Sequence, residues 1–468
     1  MDQDRTVAPP YGPATSALSG KAMRHLLQPW QAMATVDREA RTMVSRAEGI
    51  YVYDEQGRRL IDGPAGMWCV QIGHRRPEMA EAIAAQVMEL PYYSPWYTTN
   101  GPAAELAARI AGYAPGDLDR ISFTSGGSTA VDTALRFVQF YNNVLGRPGK
   151  KLIIARHGGY HGSTYLSASC SGKPRDKTHM DCSELVHHIA CPNPYRRPAG
   201  TTEAQFCDQL VAELERTILE LGPERVAAFI AEPILASGGV IVPPDGYNRR
   251  TRELCRRHDV LYIADEVVTG FGRLGHMLAS EAVFGVVPDI ITFAKGVSSG
   301  YVPLGGVAIS RRVMEQVSGD KAGDAVFSNG FTYSSHPVAC AAAMTNLDIM
   351  EREGLLAHVR AIAPYFQARL KELEDLPIVG EVRGMGLMAA IECVADRETH
   401  DPLLFEVGRR IDAHCQALGL IVRPLINICV MSPPLVIQSE QIDEMVRLLR
   451  RGIELTMADL RREGLWHG

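Results

Sequence analysis

Asp265 and Lys295 stand thirty residues apart, and each follows an apolar run. Val260-Leu261-Tyr262-Ile263-Ala264 leads into Asp265-Glu266, and Ile290-Ile291-Thr292-Phe293-Ala294 leads into Lys295-Gly296. Short β-branched runs of this kind read as buried strands of a parallel sheet, where ligands sit at the carboxyl ends. The chain has eight lysines among its 48 basic residues, and Lys295 alone follows a long apolar run. Two chemistries fit the pair. One is a structural ion pair reaching out to water. The other is carbonyl chemistry, in which a desolvated lysine supplies a neutral amine for a Schiff base and a carboxylate pairs with a protonated cofactor nitrogen.

Other residues decide between them. Thr124-Ser125-Gly126-Gly127-Ser128-Thr129 lies between an expected strand and an expected helix, Ala130 to Val144. Glycines there turn backbone N–H groups toward an anion, and the helix N-terminus favours negative charge. The same residues also suit a plain turn with Ser128 or Thr129 as cap. The loop lacks the closing Gly-Lys-Ser/Thr of a Walker motif. Tyr160, in Gly158-Gly159-Tyr160-His161-Gly162, offers a flat ring for stacking on a planar cofactor. His157 and His161 are four apart on a glycine loop with no third ligand, which excludes a metal site. Arg423 interrupts Leu420-Ile421-Val422 and demands a carboxylate, either of the protein or of a substrate. The aromatic stretch Tyr92-Tyr93-Ser94-Pro95-Trp96-Tyr97 suits packing or an interface. Gly384-Met385-Gly386 imitates a dinucleotide fingerprint, but Ala390-Ile391-Glu392-Cys393-Val394 after it reads as strand.

The elements that must position these residues alternate. Strands are expected at 121–123, 152–155, 226–231, 260–264, 290–294 and 307–309, with helices such as Thr202 to Leu221 and Asn248 to His258 between them. This predicts an α/β domain with a mostly parallel sheet. Five of the strands deliver polar residues to their ends: Ser125 to Ser128, Tyr160-His161, Glu232, Asp265 and Lys295. Five convergent ends make a site, which an isolated ion pair would not. Before this region, residues 1–50 read as an irregular arm and lead-in, 50–53 and 59–62 as a hairpin, and Pro77 to Leu90 as helix. After residue 340 the pattern is α+β: helices at 337–353, 358–373, 403–418 and 439–462, and strands at 378–382 and 420–423. The expected division is an arm and part of a small domain at 1–60, a large domain at 61–339, and a small C-terminal domain at 340–468.

Composition sets the outer bounds. A chain of 468 residues that is 46% hydrophobic can bury a large core. A net charge of −6 gives no footprint for nucleic acid, and no apolar stretch is long enough to span a membrane. Ten scattered cysteines without C-x-x-C, and a polar start at Met1-Asp2-Gln3, point to a reduced cytoplasmic protein.

Taken together, the chain from about Trp68 to Met445 closely resembles the class III (subgroup II) aminotransferases of pyridoxal-phosphate fold type I, especially ω-aminotransferases that use pyruvate. The resemblance rests on Ser125-Gly126-Gly127-Ser128-Thr129-Ala130, Tyr160-His161-Gly162-Ser163-Thr164, Ala231-Glu232-Pro233-Ile234 and Ala264-Asp265-Glu266-Val267. It continues through Thr269-Gly270-Phe271-Gly272-Arg273, Ala294-Lys295-Gly296, Gly330-Phe331-Thr332-Tyr333-Ser334-Ser335-His336-Pro337 and Gly419-Leu420-Ile421-Val422-Arg423-Pro424. It implies pyridoxal 5'-phosphate as cofactor, joined to Lys295, with Asp265 at its ring nitrogen. Tyr160 and Val267 would enclose the ring, with His161 and Glu232 beside it. Gly126, Gly127 and Ser128 would hold the phosphate, helped by Phe331-Thr332 of a second subunit. That contact implies a homodimer with shared sites, and a tetramer is compatible with it. Trp68, Trp96, Tyr97 and Tyr160 would wall the substrate pocket. Arg423 would swing in for the carboxylate of pyruvate and out for an amine donor, in a ping-pong exchange that yields alanine and an aldehyde or ketone.

The departures carry information. Relatives acting on ornithine or 4-aminobutyrate have Gln-Gly-Glu after Glu-Pro, and this glutamate latches an arginine before a Pro-Pro pair. Here Leu235-Ala236-Ser237 and Ser432-Pro433-Pro434 stand instead, which argues against 2-oxoglutarate as acceptor. Gly126 replaces a usual serine, Thr129 a common glutamate, and Asn329 and Ser335 stand where His and Gly are frequent. The rivals are an aminomutase or decarboxylase of the same fold. A non-catalytic pyridoxal-phosphate regulator would need a basic helix-turn-helix segment, which neither terminus offers.

Overall fold

The computed structural model describes residues 16–403 and 406–467. Its centre is a seven-stranded sheet in the order Arg120–Thr124, Gly305–Ile309, Ile290–Phe293, Leu261–Asp265, Val226–Ala231, Leu152–Arg156, Val186–Ile189. Gly305–Ile309 runs antiparallel to both neighbours, and the other pairings are parallel. The mostly parallel sheet is as expected, with all six expected strands present. The seventh, Val186–Ile189, is an edge strand whose His187 and His188 disguise the apolar run.

Alternate residues of each strand face opposite layers, as a period of two requires. Ile153, Ala228, Ile230, Ile263 and Val307 pack under Gly127–Val144. Ile154, Phe229, Tyr262 and Ile291 meet Leu214, Ile218, Leu254 and Cys255 of the helices Glu203–Leu221 and Tyr247–Arg257. Both faces are therefore dry, which suits continuous Val/Ile/Ala runs.

Two four-stranded sheets lie outside this layer. One combines Val44–Glu48, Tyr51–Asp54 and Arg59–Asp62 with Leu420–Ile421; the other combines Val379–Met385, Met388–Cys393, Ile428–Met431 and Arg423–Leu425. Two expectations change here. Residues 16–50 are not irregular: Ala17–His25 is a helix, started by a reciprocal Ser16–Ser19 cap, and Val44–Glu48 is a strand. The run 420–423 is not one strand. Leu420–Ile421 pairs with Ile61–Asp62, the chain breaks at Val422, and Arg423–Leu425 pairs with Ile428–Val430. That switch between sheets turns Arg423 away from the apolar layer. The hairpin at 385–388, with Gly386 at φ 59°, accounts for the false glycine fingerprint.

The helix expected at 403–418 runs over Val407–Leu418, and positions 404 and 405 lie outside the described residues. No helix among the described residues is long and apolar enough to cross a membrane.

Candidate active site

The strand ends do converge. A cavity of about 1340 Å³ takes Gly127, Ser128, Tyr160, His161, Glu232, Asp265, Val267, Lys295, Trp68 and Arg423 into its wall. Asp265, 4% exposed, is fixed from three sides. His161 Nδ1 lies 2.7 Å from Oδ2, while Thr292 Oγ1 and the Val267 N–H donate to Oδ1 at 3.1 and 3.2 Å. His161 is held in turn by its N–H, which donates to Ser171 Oγ at 2.9 Å. Glu232 locks the Tyr160 loop: its Oε1 accepts the Tyr160 N–H at 3.0 Å and its Oε2 the Ala236 N–H at 3.0 Å. Burial raises the Glu232 carboxyl above its ordinary range.

Lys295 follows the Ile290–Phe293 strand with φ 42°, a left-handed conformation that a side chain adopts only under constraint. The constraint is visible. Asn346 Nδ2 donates to the carbonyls of Gly296 and Val297 at 3.0 and 2.9 Å, and Ser299 Oγ donates to Asn346 Oδ1 at 2.6 Å. Gln71 packs so closely that a Cβ on Gly296 would lie 2.8 Å from its Nε2. Gln71 is anchored by the fully buried Arg273, which also donates to the carbonyls of Leu387 and Pro433. Burial without a carboxylate pulls the Arg273 guanidinium down to about 9. Sequence reasoning missed Asn346, Gln71 and Arg273 as supports. The available signal was a polar side chain inside the apolar face of the helix Pro337–Arg352.

The Lys295 amine makes no hydrogen bond or ion pair among the described residues, and burial lowers its pKa, which favours the neutral form. Next to it, the Gly127–Val144 helix points its N-terminus at the cavity, starting three residues earlier than expected. Gly126 sits one residue behind the wall, and its carbonyl accepts the hydroxyls of Thr124 and Thr129 at 3.0 and 2.8 Å. It lies so close to Gly305 that a Cβ there would be 2.5 Å from the Gly126 carbonyl oxygen. Ser128 Oγ accepts the Ser163 N–H at 3.0 Å, which ties the anion loop to the Tyr160 loop. A carbonyl-bearing, ring-containing phosphate fits these donors: an unpartnered amine, a buried carboxylate, and a helix N-terminus behind a glycine loop.

Arg423 is half-buried with its guanidinium 5.9 Å from the Trp68 ring and against Met67 Sδ. Its Nε is buried without a partner, and no protein carboxylate pairs with it among the described residues. Burial lowers its pKa. The structural-partner alternative for Arg423 therefore lacks a partner.

Besides Gly126, four expected residues lie outside this cavity, two of which, Phe331 and Thr332, were expected to serve the site of a second subunit. Trp96 and Tyr97 stack edge to face at 77% and 92% exposure, so they do not wall the pocket of their own chain. The proline-broken segment keeps them on the surface, where Tyr92 Oη donates to the Thr332 carbonyl at 2.9 Å. Phe331 and Thr332 lie outside the cavity wall as well. Ser335 adopts φ 55°, a conformation natural to the glycine found in relatives.

A sheet of this topology, with a lysine, a carboxylate and an anion cup at its carboxyl ends, defines a pyridoxal-phosphate enzyme of fold type I. The chain matches the class-III aminotransferase family over residues 32–453. It is 41% identical over 439 residues to a putrescine–pyruvate aminotransferase of Pseudomonas aeruginosa, covering 93% of this chain and 95% of that protein. An (S)-enantioselective ω-transaminase from Thermomicrobium roseum superposes with a TM-score of 0.89 at 40% identity, covering 95% of this chain and 98% of the other. The ω-transaminase of Pseudomonas jessenii in complex with PMP gives 0.92 at 37% identity, covering 95% and 99%. The chain belongs to the class III aminotransferases and is a pyridoxal-phosphate-dependent transaminase.

Proposed function

We propose that this enzyme transfers the amino group of a primary amine or ω-amino acid to pyruvate, releasing an aldehyde or ketone and alanine. The observation that carries the acceptor is Arg423: a cavity guanidinium with no protein carboxylate. The relative named for putrescine and pyruvate supports both substrates.

The residues divide the work as follows. Lys295 would hold the cofactor through its carbonyl carbon, and its neutral Nζ is the group that would take the proton from the substrate carbon and return it. When bound, pyridoxal phosphate supplies the electron sink that makes this proton removable. Asp265 would hold a negative charge at the ring nitrogen, and His161 and Thr292 keep Asp265 in place. Gly127 and Ser128, with Gly126 one residue behind them, would present the helix N-terminus to the phosphate. Tyr160 and Val267 would flank the ring, and Glu232 holds the Tyr160 backbone. Trp68 shapes the pocket beside Arg423.

A homodimer completes this reading. The exposed patch of Tyr92, Tyr93, Trp96, Tyr97 and Tyr333, next to Phe331 and Thr332, suits burial against a second copy that shares the site. The division into 1–60 with 340–468 and 61–339 is supported by the sheet that joins strands 44–62 to Leu420–Ile421. A cytoplasmic setting accords with ten free cysteines.

The test is the visible absorbance of the holoenzyme. A primary amine without keto acid should bleach the yellow band, and pyruvate but not 2-oxoglutarate should restore it. A band that no amine bleaches would refute the proposal. Restoration by 2-oxoglutarate alone would refute the acceptor.

A further inference from the structure

Lys173 lines the cavity beside Lys295 and Arg423 and has no established part in it. Its ammonium lies 5.6 Å from the centroid of the Tyr160 ring. No carboxylate pairs with it among the described residues; Asp176, three residues on and exposed, stays beyond ion-pair distance. A half-buried ammonium with no directly paired carboxylate is costly to keep. Burial lowers its pKa; the charges of Asp176 and Glu232 oppose this, and that of Arg423 adds to it.

The backbone places Lys173 by construction. Gly158 N–H donates to the Gly172 carbonyl at 2.8 Å, and Gly172 N–H donates to the Gly159 carbonyl at 2.9 Å. The two segments approach so closely that a Cβ on Gly172 would lie 2.0 Å from the Arg156 carbonyl oxygen. Lys173 therefore enters the cavity from the same rigid loop pair that carries Tyr160, whereas Arg423 enters from the Arg423–Leu425 strand. Lys173 and Arg423, neither of them in an ion pair among the described residues, thus reach one cavity from separate elements.

We propose that Lys173 is a second anchor for the acceptor's carboxylate, holding it together with Arg423. The inference rests on the pyruvate-dependent reading above and adds a residue to it. Arg423 supplies a planar fork, and Lys173 supplies a point charge that stays at the cavity wall when the arginine moves. The carboxylate of pyruvate then lies between two charges, and an uncharged acceptor gains nothing from Lys173.

The test uses Lys173→Met, which keeps the stem and removes the charge, and Lys173→Arg, each matched to wild-type cofactor content by absorbance. kcat and KM are measured for pyruvate and for an uncharged aldehyde acceptor with one donor. Propionate, a carboxylate without a reactive carbonyl, is titrated as a competitive inhibitor. Lys173→Met should raise the pyruvate KM and the propionate Ki by about tenfold relative to the aldehyde KM, the scale of one charge-assisted contact, and Lys173→Arg should recover most of it.

Parallel changes for pyruvate and aldehyde would mean that Lys173 only props the Tyr160 ring, and would overturn the proposal. An unchanged propionate Ki in Lys173→Met would overturn it too. A wild-type enzyme that rejects pyruvate would overturn the functional reading itself. A wild type that uses pyruvate, with a silent Lys173→Met, would overturn this inference alone.

Discussion

Arg423→Met separates a substrate-binding arginine from a structural one, because the two roles predict opposite changes in stability and activity. The guanidinium is half-buried, its Nε has no partner, and no protein carboxylate offsets its charge. A buried donor left unsatisfied costs about 1–3 kcal/mol, so methionine, of similar length and without that donor, should not destabilise the enzyme. The thermal midpoint of the cofactor-free protein should hold or rise. Activity should move the other way. A hydrogen bond to a charged group contributes about 1.5–3 kcal/mol, so losing one or two of them lowers kcat/KM for pyruvate roughly ten- to a thousandfold.

The assay is steady-state kinetics on pyruvate and on an uncharged aldehyde acceptor, beside calorimetry of the same preparations. Pyruvate should lose mainly through KM, since a carboxylate remote from the reacting carbon contributes to binding before and during the chemistry. The aldehyde should lose far less. A variant that loses stability and treats both acceptors alike would refute the reasoning and make Arg423 a structural residue.

Lys295→Ala should abolish turnover while leaving the fold, read by circular dichroism, intact; measurable turnover would remove Lys295 from the chemistry. Asp265→Asn keeps the volume but loses the charge that an opposite partner requires, an effect of roughly one to three pKa units on that partner, so kcat should fall about ten- to a thousandfold at full cofactor content. Near-normal kcat would remove Asp265 from its role. His188 is pushed down from 6.5 to about 4 by burial, so the unfolded chain takes up a proton before the native state does. Its contribution to stability is complete above about pH 6.5 and is lost as pH falls toward about 4. His188→Gln should flatten the stability–pH curve there by less than about 1.4 kcal/mol per pH unit, the limit for one proton. Parallel urea-midpoint curves for variant and wild type would show that His188 is not coupled to folding.

Much of the fold was legible because a doubly covered parallel sheet writes itself as short β-branched runs. Val226–Ala231 and Leu261–Asp265 are buried at every position, so nothing polar interrupts them until the site begins. That is also why Glu232, Asp265 and Lys295 stood out: the residue that ends such a run is the one that meets a ligand. Val186–Ile189 escaped because an edge strand tolerates polar residues, and His188 spends its ring on the Cys170 carbonyl at 3.1 Å. Val44–Glu48 escaped because it is a mostly exposed edge strand, paired with Tyr51–Asp54, and its Ser45, Arg46 and Glu48 leave no apolar run to read. Trp96 and Tyr97 were legible as an aromatic cluster but not as to place, since spacing along the chain does not say whether an aromatic lines a pocket or stands on the surface.

The least legible layer was the one that holds the catalytic groups still. Asn346, Gln71 and Arg273 come from three distant segments and meet only behind the Lys295 turn, so local spacing offers no more than Asn346 as a polar residue on an apolar helix face. Their effect is nonetheless physical and specific. A left-handed lysine costs about 1–3 kcal/mol unless its surroundings fix it, and here two amides and a buried guanidinium do so. Arg423 shows the same logic from the other side. Its charge was visible as an interruption of an apolar run, but its freedom from a protein partner came from the change of sheet at Val422, which pairs Ile421 in one sheet and Arg423 in another. Sequence identifies groups whose chemistry is out of keeping with their neighbours. Tertiary structure decides whether such a group is already satisfied, and in this enzyme Lys173, Lys295 and Arg423 have no protein counter-charge within ion-pair reach among the described residues.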